Sequence, residues 1–194
     1  MTQLLTTRRA MCSPANRHRS PLARCSLARK ESTMNSSATA SEQLRQRHYD
    51  MVALCGDVRA SATPAERRER FSDIAILTAT HIACLRSIIM PSIVSHRSAS
   101  RAVVLEHLSR AERALQAAVN HHVDVGNPLF NSCFQTFENE LMSQVELEDR
   151  LIIPLLLESS DNDQVRLAQA VEIHSLRSAR DAAHESDWFQ TGLH

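Results

Sequence analysis

Glycine is nearly missing from this chain, with three residues in 194, and proline is sparse at six. No stretch alternates apolar and polar residues like a half-buried strand. These absences argue against a β architecture, and the abundance of Ala, Leu, Arg, Glu and Gln points to an all-α chain. No CxxC pair occurs, and the five cysteines (Cys12, Cys25, Cys55, Cys84 and Cys133) are odd in number, so a zinc cluster is not expected. Cys55, Cys84 and Cys133 fall on apolar helix faces. They read as small buried hydrophobes in a reducing compartment, which suits a cytoplasmic protein. No apolar run approaches the roughly 18 residues of a membrane span, so no membrane partner is expected. Phosphate loop, nucleotide fingerprint and Ser-His-Asp order are all missing, and the chain does not read as an enzyme.

Acid is also missing from residues 1–30, which hold six Arg and one Lys. The rest of the chain then carries 15 basic against 22 acidic residues, a net charge of −7. With its bases scattered among acids, this part is not expected to bind nucleic acid. Residues 1–40 are Arg- and Ser-rich and lack apolar periodicity, so they read as a disordered tail. Two origins fit: an organelle transit peptide, or an extension upstream of a start at Met34.

The remainder is organised as five helices. The first covers about Ser41–Ala60, with Leu44, His48, Met51, Cys55 and Val58 on one stripe. The second starts at Thr63-Pro64 and runs to about Val94, with Phe71, Ile74, Leu77, His81, Leu85 and Ile88 inward. The third covers about Ser98–Asn120, with Val104, His107/Leu108, Ala111, Leu115 and Val119. After Gly126-Asn127-Pro128, the fourth runs to about Glu158 through Phe130, Phe134, Phe137, Leu141, Gln144, Glu148, Leu151 and Leu155. A fifth, about Asn162–Ala183, carries Leu167, Val171 and His174, and the last ten residues with Trp188 look frayed. Short connections favour antiparallel neighbours. The expected architecture is an up-down-up-down four-helix bundle over 41–158, followed by an additional C-terminal helix within 159–194 that is able to cap it or to form a homodimer.

Two of these helices share a template. HIACLRSIIMPSIV from His81 and QVELEDRLIIPLLL from Gln144 each place a polar residue ten positions before a proline, Pro91 or Pro154, among apolar residues. Residues i and i+4 share a helix face, so a His and a Glu four apart make a metal half-site. The first copy keeps His81 but has Leu85 four later; the second has Gln144 but keeps Glu148. A buried carboxylate is costly unless paired or bound to a cation, which makes Glu148 the most informative residue. Glu146 and Asp149 fall on the flanks of the same helix and read as a solvated face.

The order His48, His81, His107, Glu148 on four successive helices, with both prolines, resembles the hemerythrin-like HHE cation-binding family. Local phrases agree: RHYDMV, FSDIAILTATHIACLRSIIMPSI, LEHLSRAERAL and FENELMSQVELEDRLIIPLL. The resemblance covers about Ser41–Glu158. It implies non-haem iron and a role in oxygen, nitric oxide or iron sensing, storage or repair. It also implies a six-ligand, two-iron site, of which His48, His81, His107 and Glu148 are present, while Leu85 and Gln144 replace the other two. Arg86 adds positive charge beside Leu85. The surviving set suits one ion rather than two, or a metal-free polar layer in a binding or signalling bundle. His174 and Gln144 are further candidate contributors.

Overall fold

Three of the long helices begin at a residue whose side chain caps them. The computed structural model describes the backbone of residues 38–93 and 98–191, and the side chains of 38–93 and 100–178. Helix α1 (Ala40–Ala60) opens with a capping box: the Glu42 N–H donates to Thr39 Oγ1, and the Thr39 N–H donates to the Glu42 carboxylate. Helix α2 (Pro64–Cys84) has Thr63 as its cap and Pro64 in the first turn, where a missing N–H costs nothing. It continues through a π-helical turn (Leu85–Ile89) into the short α3 (Met90–Ile93). Helix α4 covers Ser98–Val119, α5 covers Pro128–Leu157 with Asn127 as its cap, and α6 covers Asp161–Thr191. No strand occurs among the described residues, so the chain is all-α as expected. The Arg/Ser-rich tail expected over 1–40 lies outside the described residues up to position 37. The C-terminal fraying expected from position 185 is instead helical backbone as far as Thr191.

Helix α1 packs on α2, α5 and α6; α2 also packs on α4 and α6; and α4 packs on α5. The buried residues follow helical spacing: Leu44, His48, Met51, Cys55 and Val58 on α1, and Phe130, Phe134, Phe137, Leu141, Gln144 and Glu148 on α5. On α4 the fully inward row is Val104, Leu108, Ala111, Leu115 and Ala118, which leaves His107 to one side of it. Helix α6 turns Gln164, Ala168, Val171 and Ser175 inward; of the expected row, Val171 is buried, while Ala168 and Ser175 take the places of Leu167 and His174. It docks through polar contacts as well: Ser41 Oγ donates to Gln164 Oε1 at 3.0 Å, and Arg47 reaches both Cys84 Sγ and Ser175 Oγ.

The two prolines act differently. Pro91 has no N–H to offer Ser87 and in regular α-helix its ring would clash with that carbonyl, and the turn before it is π-helical, with the Met90 N–H bonded to Leu85 O. One extra residue in that turn advances the inward row, so Ile89 is buried where Ile88 was expected. Pro154 sits inside α5 without ending it. The buried row there also shifts by one, to Ile152 and Leu156 in place of Leu151 and Leu155.

Pro64–Ile93 is long and apolar enough to cross a membrane by length and composition. That departs from the expectation of no such stretch. It arises because Ile, Leu and Ala dominate between Asp73 and Arg86. In the structure the same stretch supplies Phe71, Ile74, Ile82 and Leu85 to the core.

The core is in two parts. One gathers Leu44, Ile82, Leu85, Ile89, Val104, Leu108, Ile152 and Leu156. The other gathers Met51, Cys55, Phe71, Ile74 and the α5 aromatics Phe130, Phe134 and Phe137, with Phe71 edge-on to Phe130 at 5.1 Å. Phe137→Ala should cost about 3–5 kcal/mol in urea unfolding, because the ring is fully buried. Val123→Ala, at a position 71% exposed, should stay within about 0.5 kcal/mol. Equal losses at the two sites would contradict this division of core and surface.

Candidate metal centre

Between the two parts of the core lies a polar layer. On α1, His48 falls between Leu44 of one cluster and Met51 of the other. On α2, His81 falls between Ile74 and Leu85, and on α5 Gln144 and Glu148 fall between Leu141 and Ile152. Helical spacing that buries the apolar neighbours therefore buries these polar groups too. His48, His81, Gln144 and Glu148 are all buried, and Glu148 is 0% exposed.

A carboxylate without water must find donors. Glu148 Oε2 lies 3.0 Å from His48 Nε2 and 3.1 Å from His81 Nε2. Oε1 lies 3.1 Å from His81 Nε2 and accepts from Gln144 Nε2 at 2.6 Å. The two imidazoles meet edge to face, with centroids 5.5 Å apart. Burial pushes the Glu148 carboxyl upward, but the charge of His81 and the hydrogen bonds from His48 and His81 outweigh it and bring it down to about 2. For His48, burial acts downward and is overcome by the hydrogen bond and charge of Glu148, then by Asp149, so its net shift is upward.

The ligand atoms of His48, His81 and Glu148 all lie within 4.8 Å of one another. Imidazole and carboxylate bind iron, manganese or zinc at about 2.0–2.2 Å, which places neighbouring ligand atoms about 3.0–3.4 Å apart. The separations of 3.0 and 3.1 Å from Glu148 Oε2 to the two imidazole nitrogens match that spacing, and the three groups together could hold one ion. They do not fit two. Leu85 is fully buried and offers no donor, and the Gln144 amide already engages Oε1.

His107, expected as a fourth ligand, is not brought into this group. Its neighbour Leu108 takes the inward position on α4, and His107 sits half-buried with Nδ1 enclosed and unpartnered. His174 is likewise outside the group, half-buried with Nε2 unpartnered. Arg86 is held by Glu112 at 2.8 Å and by Ser109 at 3.2 Å, so an acid on α4 matches its charge. Sequence reasoning missed Asp149, whose Oδ1 lies 3.0 Å from His48 Nδ1. A cluster of acids was visible around it, but spacing alone gave no sign that an exposed flank residue reaches α1.

The two shifted groups set opposite pH limits on the metal-free protein. His48 binds its proton more tightly folded than unfolded, so its contribution is complete below its ordinary value of 6.5 and is lost as pH rises through the folded value. Glu148 is depressed, so its contribution is complete above its ordinary value of 4.5 and is lost as pH falls toward about 2. The metal-free melting temperature should therefore peak between pH 4.5 and 6.5 and fall on either side. A His48→Gln variant should lose the alkaline decline; an unchanged decline would place its origin elsewhere.

No protein-family model, curated protein or solved structure matches this chain.

Proposed function

We propose that this chain is a hemerythrin-like helical-bundle protein that holds one non-haem metal ion, iron foremost, through His48, His81 and Glu148. The observation that carries this reading is the convergence of those three ligating groups in a buried layer. Two imidazoles and one carboxylate are a donor set suited to non-haem iron, with manganese and zinc as competitors. Held there, such an ion would supply a Lewis-acid centre able to bind a small exogenous ligand. That suits sensing, storage or repair involving oxygen, nitric oxide or iron, with the chain acting by binding rather than as an enzyme.

The topology in this reading is up-down-up-down for α1, α2, α4 and α5, with α6 as an additional C-terminal helix. Its support is the closed ring of contacts from α1 to α2, α4, α5 and back to α1, with α6 lying on α1 and α2. Ile173 and Leu176, exposed one turn apart on α6, fit a homodimer through that helix. A cytoplasmic setting without nucleic-acid or membrane partners accompanies this reading. It rests on the buried free thiols Cys55 and Cys84 and on the net acidity beyond residue 30.

A second reading is a metal-free bundle that binds or signals. One observation favours it: both oxygens of Glu148 already have hydrogen-bond partners without an ion. Two outcomes separate the readings. Under the first, purified protein carries close to one ion per chain, and His81→Ala and Glu148→Ala each abolish uptake. Free metal at about a hundred times its Kd then stabilises the fold by about 2.7 kcal/mol, and chelator removes that gain. Melting indifferent to both iron and chelator would leave the metal-free reading standing.

A further inference from the structure

Adjacent carboxylates on α5 take hold of one imidazole from its two sides. Glu148 Oε2 lies 3.0 Å from His48 Nε2, and Asp149 Oδ1 lies 3.0 Å from His48 Nδ1. The two acids differ in setting: Glu148 is fully buried, whereas the Asp149 side chain is 53% exposed. Asp149 thus closes the seam between α1 and α5 from the solvent side.

We propose that Asp149 is a positioning residue for the metal centre: it holds the His48 ring so that Nδ1 carries the proton and Nε2 presents its lone pair to the ion. This rests on the metal reading above. The chemistry is restrictive. A neutral imidazole has one N–H donor and one acceptor, and an ionised carboxylate only accepts. A bond from His48 to Asp149 therefore requires a proton on Nδ1; by the same rule the bond to Glu148 in the metal-free protein requires one on Nε2 as well, and Nε2, which faces Glu148 and His81, ligates once an ion takes that proton's place. On binding an ion, a His48 protonated on both nitrogens releases the Nε2 proton to solvent and keeps the Nδ1 proton on the Asp149 side. A carboxylate behind a ligating histidine fixes the ring's orientation and raises its basicity.

The neighbouring acid Glu146 provides the internal control. It is a carboxylate three residues earlier on the same helix, but its side chain is 71% exposed and lies 4.0 Å from Arg150. If a negative charge on this stretch of α5 were all that mattered, Glu146 and Asp149 would act alike. If contact with Nδ1 matters, only Asp149 acts.

Zinc(II) titration of the full chain against a chromophoric chelator tests this, with wild type, Asp149→Ala, Asp149→Asn and Glu146→Ala compared at one pH. Loss of the carboxylate in Asp149→Ala should weaken zinc binding about 10- to 100-fold. Asp149→Asn should lose less, because its amide oxygen still accepts from Nδ1–H; it also carries the test if the alanine variant folds poorly. Glu146→Ala should stay within about twofold. The Nδ1–H signal of His48 should be visible by NMR in zinc-loaded wild type and lost to exchange in Asp149→Ala. A twofold or smaller effect of Asp149→Ala, or an equal effect of Glu146→Ala, overturns the positioning role while leaving the metal centre intact. Wild type that takes up no zinc overturns both.

Discussion

Burying the Glu148 carboxylate between α1, α2 and α5 constrains the side chains around it, because a charge without water must be matched donor for donor. His48 comes from α1, His81 from α2 and Gln144 from one turn back on α5 itself. Remove any one and an acceptor deep in the core is left short; remove the carboxylate and two imidazoles lose their common partner. The same layer separates the Phe-rich part of the core from the aliphatic part. Apolar packing is tolerant of small slips between helices, whereas a hydrogen-bonded layer is not. The layer therefore fixes the relative heights of three helices as well as holding a charge.

The surroundings of the layer supply ligand groups that could hold one ion but too few for two. Leu85 belongs by position to the row of His81, but it lies in the aliphatic cluster with Ile82, Ile89 and Leu108. The π turn that begins at Leu85 carries the inward row to Ile89 just before Pro91. Gln144 supplies a donor to Glu148 where an imidazole ligand would supply a lone pair. Asp149 extends the layer outward, linking the buried charge to the surface through the His48 ring.

Much of the fold was legible in the sequence, and for identifiable reasons. The Thr63-Pro64 cap and the Gly126-Asn127-Pro128 break marked helix starts because their chemistry is local. The inward rows of α1 and the first half of α5 were read correctly because uninterrupted α-helix keeps its period. The rows failed at Ile89 and Ile152, near the prolines, where the backbone turn or the packing departs from that period. Three of the four candidate ligands converge because each occupies a clean inward position. His107 does not, since it shares a helix face boundary with Leu108 and the larger apolar gain goes to the leucine. The contact from Asp149 to His48 was invisible, because it depends on where α1 lies against α5, not on either helix alone.

The central claim concerns a place, so the most direct measurement is a crystal structure of the protein grown with zinc(II). The account predicts a single ion about 2.0–2.2 Å from His48 Nε2, His81 Nε2 and a Glu148 oxygen. It predicts Asp149 still bonded to His48 Nδ1 on the far side of the ring. An ion bound elsewhere, or a Glu148 carboxylate still hydrogen-bonded by both imidazoles with no ion between them, would contradict it.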